Sequence, residues 1–446
     1  MNSTLLEGNI RKQLTQLALP LLIGNVLQQL YNTVDTLVIG KFLGTEAFSA
    51  VGIAGTIMNL FIFVLTGFCT GISVLLAQIY GNGDRTLFRR EVFVSMTLGA
   101  GITLVLSGLF MGLMRPVLRL IDSPENLIPY IEAYLSVIIG GMIATFFYNL
   151  FSSMLRAIGD TRAATFFLFV AVLVNAVVDY IFVALLGFGI AGAAWATVLS
   201  QLLSAVCCLF YIYRRNRELL CSRYDMRYEK SMVRDTLSFG FSSALHQSSL
   251  YIGKIFVQGA VNTLGTAGIA AYTATTRIEG FANSIGTSIG QAASVFISQN
   301  YGAKKQDRVR DGLKQGMILS LSLGLVLAVL MYVTARPGML VFLDSNEETA
   351  VRYGVEYLHL IAFFYLMCFS GNVFVGYFRG VGHVYIPLAA TTMHITVRAL
   401  LSYALAGSLG LRAVAWATGA GWLLMTSFQI IMLRRVKSGK KVISSR

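Results

Sequence analysis

Charge is scarce in this chain. Asp, Glu, Lys and Arg together make up 13% of its 446 residues, about half of the quarter usual in soluble domains. Hydrophobic residues reach 56% and the mean hydropathy is +0.69, values that exclude a soluble globular protein. Only 21 residues are acidic against 35 basic ones, so every acid inside an apolar run stands out. Five cysteines (Cys69, Cys207, Cys208, Cys221, Cys368) have no paired spacing, and neither a disulfide framework nor a thiolate metal site is expected. The chain contains no HExxH motif and no paired catalytic His/Asp motif near a membrane face. An intramembrane enzyme is therefore a remote alternative, and no cofactor is expected.

Long apolar runs dominate instead. About twelve stretches are long enough to cross a hydrocarbon core roughly 30 Å thick, near 14–40, 48–78, 92–114, 128–155, 163–185, 190–213, 237–263, 268–299, 313–334, 352–379, 385–406 and 411–434. Runs of that length exclude a barrel, whose strands need only about ten residues. The first run is too long for a signal-peptide core and is expected to be retained. An all-α integral membrane protein follows.

The net charge of +14 does not point to nucleic acid, because the basic residues gather on alternate loops. One side collects Arg11, Lys12, Arg85, Arg89, Arg90, Arg156 and Arg162, seven basic residues within 214–234, and Lys304, Lys305, Arg308, Arg310 and Arg379. The other side holds little beyond Lys41, Arg115, Arg119, Arg336 and Arg412. By the positive-inside rule both termini lie in the cytoplasm of a multi-pass cell (inner) membrane protein.

The chain is also written twice. A shift of 221 residues aligns "KFLGTEAFSAVGIAGTI" (41–57) with "NTLGTAGIAAYTATTRI" (262–278), "LAQIYG" (76–81) with "ISQNYG" (297–302), and "AWATVLSQLL" (194–203) with "AWATGAGWLL" (415–424). "MLRAIGDTRAA" (154–164) answers "YFRGVGHVYIP" (377–387) at a shift of 223. The expected plan is twelve helices in two pseudo-symmetric six-helix bundles: 1–213, a basic cytoplasmic linker at 214–236, and 237–446. Parallel repeats of this kind build many secondary transporters.

An ionisable side chain inside a span costs on the order of 2.5–3.5 kcal/mol and marks function by default. Gln28, Tyr31, Asn32 and Asp35 form one polar stripe of the first helix. Pro20, fifteen residues before Asp35, removes a backbone hydrogen bond and offers a hinge. Asn175 and Asp179, four apart, share a face of the fifth span, and Thr197 can add a hydroxyl from the sixth. Two carboxylates, an amide oxygen and a hydroxyl are hard ligands for a small cation such as Na⁺. They equally suit H⁺, because neighbouring buried carboxylates cannot both stay ionised. The second half does not repeat the set: the counterparts of Asp35, Asn175 and Asp179 are Phe256, Arg398 and Ser402. Its charges are Lys254, Arg277, Glu279 and Arg398. Glu279 is expected to pair with Lys254 or Arg398, or to bind a cationic substrate. Arg156 and Arg162 flank a glycine turn and are expected to cap helix ends and meet lipid phosphates.

The doubled six-span plan, Pro20 before Asp35, the "NAVVD" pair, Thr197 within "GIAGAAWAT", and the "QIYG" and "QNYG" turns together resemble the multidrug and toxic compound extrusion family. The resemblance covers essentially the whole chain. It implies an outward-facing V of two bundles that exports amphipathic, often cationic compounds in exchange for H⁺ or Na⁺. It further implies an ion site at Asp35, Asn175, Asp179 and Thr197, with Gln28 and Tyr31 near the substrate path. The partners expected are small amphipathic organic substrates and the lipid bilayer, with the protein a monomer. The main rival is a flippase of lipid-linked saccharide, for which Lys254, Arg277 and Arg398 would serve as pyrophosphate ligands.

Overall fold

A computed structural model describes the backbone of residues 5–120 and 123–437; the side chains of residues 30–38, 45 and 437 lie outside the described set. Every regular element among the described residues is helical. In chain order they are α1 (Ile10–Asn82), α2 (Arg85–Leu120), α3 (Ile128–Gly140), α4 (Met142–Ala157), α5 (Thr161–Asp179), α6 (Gly189–Arg215) and α7 (Lys230–Asn262). There follow α8 (Gly265–Gly302), α9 (Gln306–Val333), the short α10 (Ala335–Leu340), α11 (Glu348–Gly380), α12 (Tyr385–Leu409) and α13 (Leu411–Lys437).

Several boundaries differ from the sequence reading, each for a local reason. α1 runs for 73 residues, about 110 Å at 1.5 Å per residue, far more than one bilayer. Its break is Gly44, at φ 82° and ψ −178°, a backbone conformation that only glycine adopts without strain. Two membrane-length limbs result. The helix continues through Pro20 with helical dihedrals. The fourth span is a pair, α3 and α4, bent by 45° at Gly141. The fifth span ends in a π-helical turn, Tyr180–Leu185. By length and apolarity seven helices among the described residues qualify as membrane spans, or eight with the bent pair. α7, α8 and α12, which carry Lys254, Arg277, Glu279 and Arg398, are not among them.

The helices form two compact units. The first unit is Leu19–Ala244. There α6 packs on α3, α4 and α5, around fully buried Phe88, Phe146 and Leu155. Gly67 and Gly71 let α1 meet the start of α7 backbone to backbone. A Cβ on Gly67 would lie 2.6 Å from Ala244 Cα, and one on Gly71 would strike the Phe239 carbonyl. Small residues four apart are a common device for close helix contact in membranes. On the same unit Arg89 Nε meets Asp225 Oδ2 at 2.7 Å, tying the linker before α7 to α2.

The second unit joins Leu245 onward to the start of α1, up to Ala18. α11 is its central helix, packed against α8, α9 and α13. The beginning of α1 is held there by Arg308, whose guanidinium donates to the carbonyls of Gly8 and Leu5 (both 3.0 Å) and to Gln13 Oε1 (2.9 Å). Each unit thus holds the segment that leads into the other half's first helix.

Candidate ion and substrate sites

In the first unit, α5 starts at a fixed phase. Asp160 caps it, its Oδ1 accepting from Ala163 N at 3.1 Å while its Oδ2 accepts from the Tyr211 hydroxyl of α6 at 2.8 Å. Gly159, at φ 91°, makes the preceding turn. From that start, Asn175 and Asp179 fall on the inner face, and both are 0% exposed. Asn175 Nδ2 reaches Thr197 Oγ1 on α6 at 3.4 Å, longer than the usual 2.7–3.2 Å. Asn175 Oδ1 is buried without a hydrogen-bond partner among the described residues. An orphaned acceptor oxygen beside a hydroxyl and a buried carboxylate is a donor set for a hard cation or a proton-bearing water. The π-helical turn begins directly after Asp179, and such turns recur at functional positions in helices. Tyr31, Asn32 and Asp35 lie outside the described side chains.

A cavity of about 80 Å³ opens beside Thr197. Gln28, Thr66, Tyr134, Asn149 and Gln201 also line it, which brings Gln28 and Thr197 to one space. Its volume suits roughly two or three waters at about 30 Å³ each. Gln201 Oε1 is buried there without a protein partner among the described residues. The sequence reading missed Tyr134, Asn149 and Gln201; their one signal is polar character at the inner face of an apolar helix. Among the described residues no group of three or more His, Cys, Asp or Glu lies close enough to hold a metal ion.

The second unit has a different arrangement. Glu279, 6% exposed, accepts from the hydroxyls of Tyr357 (3.1 Å) and Tyr365 (3.3 Å). The ion pair expected with Lys254 or Arg398 is not formed within 4 Å among the described residues; tyrosines of α11 occupy both carboxylate oxygens. Arg277 is exposed, on a different face of α8 from Glu279. Arg398 donates to the Tyr272 hydroxyl at 3.3 Å.

The two arginines of "MLRAIGDTR" also part company. Arg162 is exposed. Arg156 does not reach outward as expected: its guanidinium turns back along α4 onto Ser152 Oγ (2.8 Å) and Ser153 Oγ (2.6 Å). The equivalent Arg379 is 7% exposed and donates to His246 Nδ1 at 2.8 Å. Because a guanidinium only donates, that ring nitrogen accepts, and His246 carries its proton on Nε2. A third buried contact has no counterpart in the sequence reading: Glu91, 1% exposed, accepts from Thr236 Oγ1 at 2.6 Å and Ser95 Oγ at 3.0 Å.

Comparison with known proteins adds the last observations. The family model described as MatE matches residues 20–181 and 242–404, once in each half. A probable multidrug resistance protein of Bacillus subtilis, YpnP, is 29% identical over 378 residues, covering 84% of each chain. A probable multidrug resistance protein of Thermotoga maritima, NorM, is 26% identical over 86% of this chain and 83% of its own. Among solved structures, a transporter in an outward-facing conformation superposes with TM-score 0.91 at 22% identity over 98% of both chains.

Proposed function

The chain belongs to the MatE family of multidrug and toxic compound extrusion transporters, and on that premise we propose that it is an antiporter exporting amphipathic organic molecules from the cytoplasm in exchange for H⁺ or Na⁺. The names of its relatives support efflux of drug-like molecules. The basic bias of alternate loops supports a cytoplasmic-membrane location with both termini inside.

One observation carries the coupling: Asn175 and Asp179 are buried on one face of α5 in the first unit, Asn175 reaches Thr197, and Thr197 lines a cavity that Gln28 also lines. Asp179, Asn175 and Thr197 form the ion site, with Asp35 as the second carboxylate. Gln28, Tyr31 and Asn32 lead to it. Loading a cation or a proton there neutralises buried charge and changes how α1 packs between Pro20 and Gly44. Thr165 Oγ1, which donates to the Pro20 carbonyl at 2.8 Å, ties that stretch to α5. If the loaded protein favours one of two access states, substrate affinity and ion affinity are coupled reciprocally.

The test is dye efflux from proteoliposomes with pH and Na⁺ gradients imposed separately. One gradient is expected to drive efflux, and Asp35→Asn or Asp179→Asn to abolish it while the protein remains folded. Undiminished gradient-driven efflux by both variants would overturn the assignment. Translocation of a lipid-linked saccharide without dye efflux would favour the flippase.

A further inference from the structure

We infer that the second unit holds a site for an oxyanion group, carboxylate or phosphate, of the transported molecule, formed by Lys254 of α7 and Arg398 of α12. The inference rests on the transport reading above and adds the charge of the substrate.

Both cations flank a close helix crossing. A Cβ on Gly253 would lie 2.7 Å from Ile395 Cγ2, so α7 and α12 touch at that level. Lys254 is the next residue on α7, and Arg398 lies three residues along α12 from Ile395, about one turn. Neither has an acidic partner within 4 Å among the described residues. Lys254 is exposed, and no hydrogen bond from its ammonium is formed among the described residues. A lysine placed within an apolar run is costly against lipid and marks a functional position by default.

Arg398 is half-buried and spends its fork on one neutral contact, the Tyr272 hydroxyl. Its Nε is buried without a partner among the described residues. A guanidinium offers five donors in a plane and an ammonium three, so most of this donor set remains for a ligand. Carboxylates and phosphates match that fork in two-point fashion.

Glu279 offsets only part of this charge and makes no direct ion pair with either cation among the described residues. Both its oxygens are taken by Tyr357 and Tyr365, and Tyr357 stacks edge-on against Tyr272 with centroids 6.3 Å apart. The carboxylate is thus held by phenols rather than by a direct ion pair. Two cations against one carboxylate leave a net positive site, which repels a cationic molecule and attracts an acidic or zwitterionic one.

The full-length protein in phosphatidylcholine nanodiscs tests this with two aromatic dyes of opposite charge, fluorescein and ethidium, followed by anisotropy. The wild type is expected to prefer fluorescein. Lys254→Gln and Arg398→Gln should each weaken fluorescein binding roughly tenfold, the scale of one lost hydrogen bond to a charged group. Lys254→Arg should preserve it, and Lys254→Glu should turn the preference toward ethidium. A wild type that prefers ethidium, or a preference unmoved by Lys254→Glu in a protein of wild-type thermal stability, overturns the site. Displacement of fluorescein by added phosphatidylglycerol assigns the pair to lipid headgroups and also overturns it. Efflux of both dyes from proteoliposomes separates the two readings. If neither moves while fluorescein binding still depends on Lys254 and Arg398, transport fails and the site stands. Ethidium efflux with charge-insensitive fluorescein binding gives the reverse.

Discussion

Replacing Thr197 with valine keeps the volume of the side chain and deletes one oxygen. Two consequences follow from the geometry, and they separate structure from coupling. The amide of Asn175, 0% exposed, loses the hydroxyl it reaches at 3.4 Å. A buried donor left unmet costs about 1–3 kcal/mol. This bond is already longer than the favoured range, so the stability loss should fall near the lower end, about 1 kcal/mol. The second consequence concerns the ion. If Thr197 Oγ1 is a ligand, its removal should cost on the order of 1.4 kcal/mol, or tenfold in affinity. For H⁺ coupling that is roughly one pH unit in the half-activating value; for Na⁺ it is a tenfold higher half-activating concentration. Thr197→Ser keeps the oxygen and should couple within about twofold of the wild type. Efflux from proteoliposomes over a series of Na⁺ concentrations and pH values measures the ion dependence, and thermal unfolding in detergent measures the stability. A valine variant that matches the serine variant in ion dependence refutes the reasoning, whatever its stability.

Other perturbations test the scaffold. Burial of Glu91 depends on its donors, so Thr236→Val, which removes the 2.6 Å contact, should destabilise the first unit by about 1–3 kcal/mol, read as a lower unfolding temperature. Gly71→Leu drives a side chain into the Phe239 carbonyl, a backbone atom that cannot turn aside, and should cost about 1–3 kcal/mol or more through overpacking. Gly52→Ala, where nothing lies within 4 Å of the added carbon, should be neutral or slightly stabilising by helix propensity; equal unfolding temperatures for these two glycine variants would contradict the close crossing. The hydrogen bond from Arg89 holds the Asp225 carboxyl below its ordinary range. Its stabilising effect is therefore complete above the unfolded value of about 3.9 and disappears as pH falls through the lower folded value. The gap in unfolding temperature between wild type and Asp225→Asn should stay constant from neutral pH down to about 5 and close in stronger acid; a gap that widens in acid would reverse the assignment.

The sequence displayed the helical architecture and the doubling because both are written in features the chain repeats: apolar runs of membrane length, and strings that recur 221 residues apart. It also displayed the first-unit cluster, since a four-residue spacing fixes Asn175 and Asp179 on one helix face wherever that helix goes. The break at Gly44 falls in the gap between the first two apolar runs, but the 45° bend of α3 and α4 and the π-helical turn after Asp179 were not legible. Each changes direction or register without interrupting the apolar run that identifies a span.

The second unit shows most clearly where periodicity stops. Spacing along α8 separates Glu279 from Arg277 correctly, yet says nothing about what Glu279 meets. Opposite charge suggested Lys254 or Arg398, whereas the partners are Tyr357 and Tyr365, 78 and 86 residues away. In a poorly polar interior a carboxylate needs donors more than it needs a cation, and a tyrosine hydroxyl supplies one while its ring fills apolar space. Tyrosine carries no charge by which a sequence scan would single it out. The same substitution of partner explains the cations. With Glu279 satisfied by phenols, Lys254 and Arg398 keep donors free of a direct ion pair, which is the premise of the proposed oxyanion site. Charge counted along the chain therefore fixes the composition of such a site, while the hydroxyls around it decide which charges pair directly.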